Sequence, residues 1–325
     1  MQLRLISASE IDLALSMSEA VDIMDQAFDA LGRGLVRAPQ RSVVETENGA
    51  SLFMPAYLSP HGPLAVKIVS FFGANPEKGL PAVNGLVLVL DPATGVPQAL
   101  MDGTRLTALR TGAGAGAATR ALARADSKTL AMFGSGGQAF AQIAAVLAVR
   151  PIEEIRLFSL DRQAAQALSA RLATSFPEVK VVLAASAAEA VLGADVVSCA
   201  TTSKTPVFDP GDVRPGTHIN GVGAFTPAMR EVQLPGLANL RVFVDRREAA
   251  LAEAGDIIQT MNEGLLRTED LTEIGDVIGG RAPGRTSPDQ ITFFKSVGVA
   301  VQDAAAAGAV LRQALRLNLG RLVDL

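Results

Sequence analysis

One cysteine, Cys199, and two histidines, His61 and His218, are all the chain has of either residue in its 325 positions. A lone thiol forms no internal disulfide, so a reducing compartment and a cytoplasmic protein are expected. Two isolated imidazoles without a second cysteine offer no metal-ligand spacing, and no metal is expected. Charge runs are absent as well. The net charge is −4 with no basic block, which argues against nucleic acid as a partner. The longest uninterrupted apolar run, residues 143–149, falls far short of the roughly 20 residues that span a bilayer. No membrane segment is expected, and the first ten residues lack the apolar stretch of a secretory leader.

What remains is a chain that is 49% apolar and long enough to exceed one comfortable core, so two domains are expected. The most informative stretch is 129–139, Thr-Leu-Ala-Met-Phe-Gly-Ser-Gly-Gly-Gln-Ala. It reads as an apolar strand, a glycine-rich turn and a helix start, with Gly134, Gly136 and Ala139 filling Gly-x-Gly-x-x-Gly/Ala. The first glycine permits a tight turn, the second lets backbone approach a pyrophosphate, and a small third residue lets the helix lie close on the strand. The free N–H groups at the start of the following helix, expected over 137–150, suit phosphate.

Around that turn the rhythm is strand, helix, strand. Strands are expected at 129–133, 154–160, 179–184, 195–201, 217–222 and 241–244, with helices at 137–150, 161–176 and 187–192. Such alternation predicts an α/β fold with a Rossmann-type, doubly wound parallel sheet. The first third differs. Ser16 and Glu19 form a capping-box signature ahead of Val21, Met24, Phe28 and Leu31 at helical spacing. Strand-like runs at 42–45, 51–55, 64–72 and 85–90 then follow without intervening helices, which suggests an antiparallel sheet. A helix over 107–124, rich in glycine and alanine, is intrinsically poor and needs close packing, as between domains. A loop-rich stretch over 279–288 carries Arg281 and Arg285. The final alanine-rich helix, from Gly298, lies beyond the nucleotide sheet and is free to return to the first domain.

Cofactor choice turns on the end of the second nucleotide-domain strand. About twenty residues past Ala139 stands Ser159, not the acid that would grip a ribose 2′-hydroxyl. Ser159 with Arg162 suits a 2′-phosphate and tilts NAD(P) use towards NADP. Asp161 either serves NAD or caps the helix that begins there. In the first domain, Lys67 interrupts an apolar strand, so it either snorkels from an edge or projects into a polar pocket. Arg110 falls in the first turn of the 107–124 helix, where the dipole disfavours a cation unless an anion sits nearby. Arg41 precedes a strand and reads as surface. Taken together, the three cations suit a clamp for a carboxylate. His218, His61 and Cys199 read as packing or loop residues, and Ser135 lacks a His–Asp pair for hydrolase chemistry.

The run Asp102-Gly-Thr-Arg-Leu-Thr-Ala-Leu-Arg-Thr-Gly112 resembles the ornithine cyclodeaminase/μ-crystallin family. So do Leu122-Ala-Arg-Ala-Asp126, Phe133-Gly-Ser-Gly-Gly-Gln138, Met54-Pro55-Ala56, Ala65-Val-Lys67, Gly79-Leu80-Pro81 and Ile291-Thr-Phe-Phe-Lys-Ser-Val-Gly298. The resemblance implies a homodimer. It also implies that residues 1–119 and 301–325 form an α/β substrate-binding and dimerisation domain, into which a nicotinamide-binding Rossmann domain, 120–300, is inserted. Arg41, Lys67 and Arg110 would meet the substrate carboxylate and the reacting nitrogen. Gly137, Gln138, Ser159, Thr201, Val222, Ser296 and Val297 would lie against the cofactor, with Arg110 reaching it too.

Two departures bear on the reaction. Cyclodeaminases carry an Asp after Val-Gly-Gly, where this chain has Phe225, and a Thr after Gly-Leu-x, where it has Ala82. Loss of that carboxylate removes the amine-handling group, and the segment 223–231 looks more like the imine-reducing members. The expected activity is therefore NAD(P)H-dependent reduction of Δ1-pyrroline-2-carboxylate or Δ1-piperideine-2-carboxylate to L-proline or L-pipecolate. Lys67 would polarise or protonate the imine nitrogen, and Arg41 and Arg110 would hold the carboxylate. Ornithine cyclodeaminase, alanine dehydrogenase and a non-catalytic NADPH-holding protein of μ-crystallin type are the alternatives.

Overall fold

The computed structural model describes residues 2–324. Strand β1 (Gln2–Ile6) runs through Ser7 into helix α1 (Ala8–Ala14), and neither element is predicted from the sequence. Helix α2 (Met17–Gly32) starts where the capping box lies. The Ser16 hydroxyl accepts from Glu19 N, and the Glu19 carboxylate accepts from Ser16 N at 3.0 Å. Two otherwise orphaned helix donors are thereby satisfied. Its buried residues Ala20, Val21, Met24, Ala27 and Phe28 recur at helical spacing and form one apolar face.

A short β2 (Val36–Arg37) is followed by β3 (Ser42–Thr46), β4 (Gly49–Leu58), β5 (Leu64–Phe71), β6 (Val83–Leu90) and β7 (Pro97–Asp102). From β3 to β7 each strand pairs antiparallel with the next, as their succession without helices predicts. Helix α3 (Gly103–Leu122) begins about one turn earlier than the 107 expected. Asp102 accepts a hydrogen bond from Arg105 N at 2.6 Å and caps it. Inside α3, a Cβ on Gly112 would fall 2.4 Å from the Ala141 carbonyl oxygen, so this small-residue helix packs at backbone distance. At its C-terminal end the Arg150 guanidinium donates to the carbonyls of Thr119, Arg120, Ala123 and Arg124, gathering the last turn and the residues just after it.

The alternating region follows. In chain order it holds β8 (Thr129–Phe133), α4 (Ala139–Leu147), β9 (Glu154–Phe158), α5 (Arg162–Ser175), β10 (Lys180–Leu183), α6 (Ala187–Val191), β11 (Val196–Cys199) and β12 (His218–Gly221). Then come β13 (Leu240–Val244), α7 (Arg247–Glu253), α8 (Gly255–Asn262), β14 (Leu271–Glu273), α9 (Ile274–Ile278) and β15 (Ile291–Lys295). The strands form one parallel sheet in the order β10-β9-β8-β11-β12-β15-β13-β14. Period-2 alternation explains why it is buried on both faces. Leu130 and Met132 of β8 pack with Ile143 and Leu168 in one core, and Ala131 and Phe133 pack with Ala190 and Ile257 in another. The sheet is doubly wound, as predicted.

Helix α10 (Ala300–Leu317) and strand β16 (Arg321–Asp324) rejoin the first sheet, whose order is β16-β1-β7-β6-β5-β4-β2, with β3 on β4. Helix α10 packs on α2, β4 and β5. The chain thus forms two compact units, Met1–Arg110 with Val299–Leu325, and Thr111–Gly298. Their breaks fall after 110 and 298, where the sequence places them after 119 and 300. No helix of the described residues is long and apolar enough to cross a membrane.

Candidate functional site

In the inserted unit, β8 runs directly into the glycine turn. Gly134 has φ +98°, which an L side chain rarely adopts, and a Cβ there would fall 2.8 Å from the Ala200 carbonyl oxygen. A Cβ on Gly136 or Gly137 would meet nothing within 4 Å, so at those two positions the backbone faces open space. A cavity of about 430 Å³ opens beside this turn, lined among others by Gly134, Ser135, Gly136, Ser159, Asp161 and Thr201. It lies at the carboxyl ends of β8, β9 and β11, where strand order reverses and open α/β sheets bind their ligands. Among the described residues the buried Gln138 Oε1 has no hydrogen-bond partner. An open glycine cradle leading into a helix start fits the pyrophosphate end of a dinucleotide.

Two of the three residues that would choose between cofactors have settled partners. Ser135 donates to the Ser159 hydroxyl at 2.9 Å, which fixes Ser159 at the cavity wall. Asp161 caps α5 by accepting from Ala164 N at 2.9 Å, while Arg162, the first residue of that helix, is exposed. Gly137, Gln138, Arg162, Val222, Ser296 and Val297 do not line this cavity. Val222 directly follows β12, and Ser296 and Val297 directly follow β15. Phe225, in the loop after β12, is exposed.

The other unit holds the cations. Lys67 lies on β5, between β4 and β6, in one cross-strand row with Met54, Val87 and Met101. All four are buried on the face covered by α10. It is no edge lysine. Its Nζ donates to Asp303 Oδ1 at 3.0 Å and lies 2.9 Å from Oδ2, with Lys67 2% exposed and Asp303 1%. Arg110 Nε donates to the same Oδ1 at 2.9 Å, and its Nη1 donates to Gln302 Oε1 at 3.1 Å. Because α3 starts at Gly103, Arg110 sits about two turns inside the helix rather than in its first turn. The anion that accommodates it is the Asp303 carboxylate, not a ligand at a helix N-terminus.

One buried carboxylate therefore faces two buried cations. Burial, Arg110 and, more weakly, Arg41 pull the Lys67 ammonium down to about 8, while Asp303 opposes them. Arg41 thus acts on the same point as the other two cations. Burial works to raise the Asp303 pKa, yet Arg110 and Lys67 outweigh it and hold the carboxyl below its usual value. An ammonium poised near neutrality beside a guanidinium fork can donate a proton next to a bound carboxylate.

Asp303 and Gln302 are not anticipated from the sequence. The bland readings elsewhere stand: His218 is fully buried, bonded to Thr292 and Asn220, and driven by burial down to about 3. Cys199 is a buried thiol, which burial pushes well up. Among the described residues no cluster of His, Cys, Asp and Glu could hold a metal.

A doubly wound parallel sheet with an open glycine cradle, inserted into a second α/β unit, defines a dinucleotide-binding protein of two-unit α/β architecture. Residues 2–317 match the profile of the ornithine cyclodeaminase/mu-crystallin family, and the chain belongs to that family. It is 35% identical over 323 residues to a Δ1-pyrroline-2-carboxylate reductase of Bacillus cereus, covering 98% of this chain and 99% of that protein. It is 35% identical over 322 residues to an alanine dehydrogenase of Archaeoglobus fulgidus, covering 98% of each. Its fold matches the structure of Thermococcus litoralis Δ1-pyrroline-2-carboxylate reductase in complex with NADH and L-proline. That match has a TM-score of 0.94 and 38% identity, and covers 98% of this chain and 99% of the other.

Proposed function

We propose that the protein reduces a small cyclic imino acid, Δ1-pyrroline-2-carboxylate or Δ1-piperideine-2-carboxylate, to L-proline or L-pipecolate. The observation that carries this reading is the buried Lys67–Asp303–Arg110 cluster with Arg41 in its field. When bound, a nicotinamide cofactor supplies the hydride. Gly134, Gly136, Gly137 and Gln138 would hold its pyrophosphate, Ser159, Asp161 and Arg162 its ribose, and Thr201, Val222, Ser296 and Val297 its remainder, with Arg110 reaching it too. Arg110 and Arg41 bind and orient the substrate carboxylate. The Lys67 ammonium donates a proton to the imine nitrogen as the carbon takes up hydride. Asp303 keeps Lys67 charged and aimed. Phe225 supports reduction over cyclodeamination, since no carboxylate stands there to handle a substrate amine. The test is steady-state oxidation of NADH and NADPH with both cyclic imines, pyruvate plus ammonia, and ornithine. Turnover confined to pyruvate plus ammonia, or to ornithine, overturns the reading.

The reading includes use of NADPH at least as efficient as that of NADH. Asp161 is engaged as a helix cap, and no other carboxylate lines the cavity to repel a 2′-phosphate. Ser159→Asp is expected to shift the ratio of kcat/KM values towards NADH, because a new carboxylate repels phosphate and accepts from the 2′-hydroxyl. A ratio that does not move assigns the ribose contact elsewhere.

A cytoplasmic homodimer belongs to the same reading. Phe53, Ile68 and Leu86 form one row across β4, β5 and β6 on the face opposite Lys67, and all three are exposed. A second copy of the chain would cover that apolar row. Sedimentation at the mass of two chains is the expected result, and a monomer at micromolar concentration contradicts it.

A further inference from the structure

At the carboxyl ends of β11 and β12, two loops are tied together from below by one buried side chain. The Glu231 carboxylate is 0% exposed. Its Oε1 accepts from Thr201 N at 2.5 Å, and its Oε2 accepts from Gly223 N at 2.5 Å and Ala224 N at 2.9 Å. Thr201 belongs to the loop after β11, which with Thr202 and Ser203 forms part of the cavity wall. Gly223 and Ala224 belong to the loop after β12. The two loops lie so close that a Cβ on Gly223 would fall 2.0 Å from the Thr201 carbonyl oxygen.

Glu231 is itself held. Asp256 Oδ1 accepts from Glu231 N at 2.7 Å and Val232 N at 2.9 Å, and Lys295 Nζ stands 2.8 Å from Asp256 Oδ2. Asp256 and Lys295 are both 0% exposed. Lys295 ends β15, so three strand ends converge on a single chain of contacts: Lys295 to Asp256, Asp256 to the Glu231 backbone, Glu231 to both loops. Three buried charges are expensive to desolvate. An apolar core would hold the sheet equally well, so their arrangement calls for a reason beyond stability.

We infer that Glu231 is a positioning residue for the nicotinamide nucleotide, setting the loops after β11 and β12 at the spacing the cofactor requires. The inference rests on the proposed nicotinamide-dependent reaction. Only a carboxylate offers two acceptor oxygens to three N–H groups. A carboxamide turns an NH₂ towards at least one of those donors and drives the loops apart.

Glu231→Gln is expected to raise the Kd for NADH and NADPH, read by nucleotide fluorescence, about tenfold or more, the scale of a lost charge-assisted bond. The KM for nucleotide should rise with it, while the KM for the imine stays near the parent value. Glu231→Asp keeps both oxygens and should recover most of the affinity; if Glu231→Gln fails to fold, Glu231→Met, which removes both acceptors without adding a donor, takes its place with the same expected rise in Kd. Parent protein that binds nucleotide while both variants bind it equally well, with only thermal stability reduced, overturns this inference alone. Parent protein that binds neither nucleotide overturns the proposed function and this inference with it.

Discussion

Lys67→Met is expected to lower kcat for imine reduction by about a hundredfold or more, the scale of a lost general acid. Methionine retains an unbranched stem in the row between Met54 and Val87, so the sheet should close as before. Only the ammonium that faces Asp303 and the substrate nitrogen disappears. The parent enzyme should reveal the same group through pH. Below about 8 Lys67 is protonated and able to donate. Above that value kcat/KM should fall by about tenfold per pH unit as the donor is lost. In Lys67→Met this limb should vanish. A variant as active as the parent, or one that retains the limb, removes Lys67 from the chemistry.

Asp303→Ala should be the most damaging change to the fold of the unit that carries it. The substitution leaves Lys67 and Arg110 as two buried cations with no counter-ion, and breaking a buried pair in this way costs about 3–5 kcal/mol. Denaturant unfolding measures it. The milder Asp303→Asn keeps the shape and removes the charge. Since Asp303 raises the Lys67 pKa, its loss should move the alkaline limb of the pH profile to lower pH. A limb that stays in place with unchanged stability would mean that the three groups do not act on one another.

How much of this was legible in the sequence depends on how local each signal is. The glycine turn could be read because strand, turn and helix start lie within about a dozen consecutive residues, each with its own backbone requirement. The parallel sheet could be read from alternation of periods, although β15 was not predicted as a strand even though its residues stand among those shared with the family. Lys67 was visible as a lone cation in an apolar run, but two environments explain such a lysine. Its partner Asp303 lies 236 residues further on. There it sits in an alanine-rich helix, where an acidic residue ordinarily marks the solvent side. The start of α3 is hard to read because Gly103 and Thr104 are weak helix formers, so the helix that Asp102 caps begins four residues before the expected 107 and Arg110 falls about two turns inside it. Glu231 ends the 223–231 segment that resembles the imine-reducing members, yet nothing in that segment shows what its carboxylate contacts. Its role comes from three backbone N–H groups on two loops that only the folded sheet brings together.

At the centre of the proposed reaction stands direct hydride transfer from the nicotinamide to the imine carbon. It is tested most directly with NADH or NADPH deuterated at the transferring position of the nicotinamide and either cyclic imine as substrate, the product being analysed by mass and chirality. The expected product is L-proline or L-pipecolate carrying one deuterium at the α-carbon. Unlabelled or racemic product, or oxidised cofactor with no amino acid formed, would contradict it.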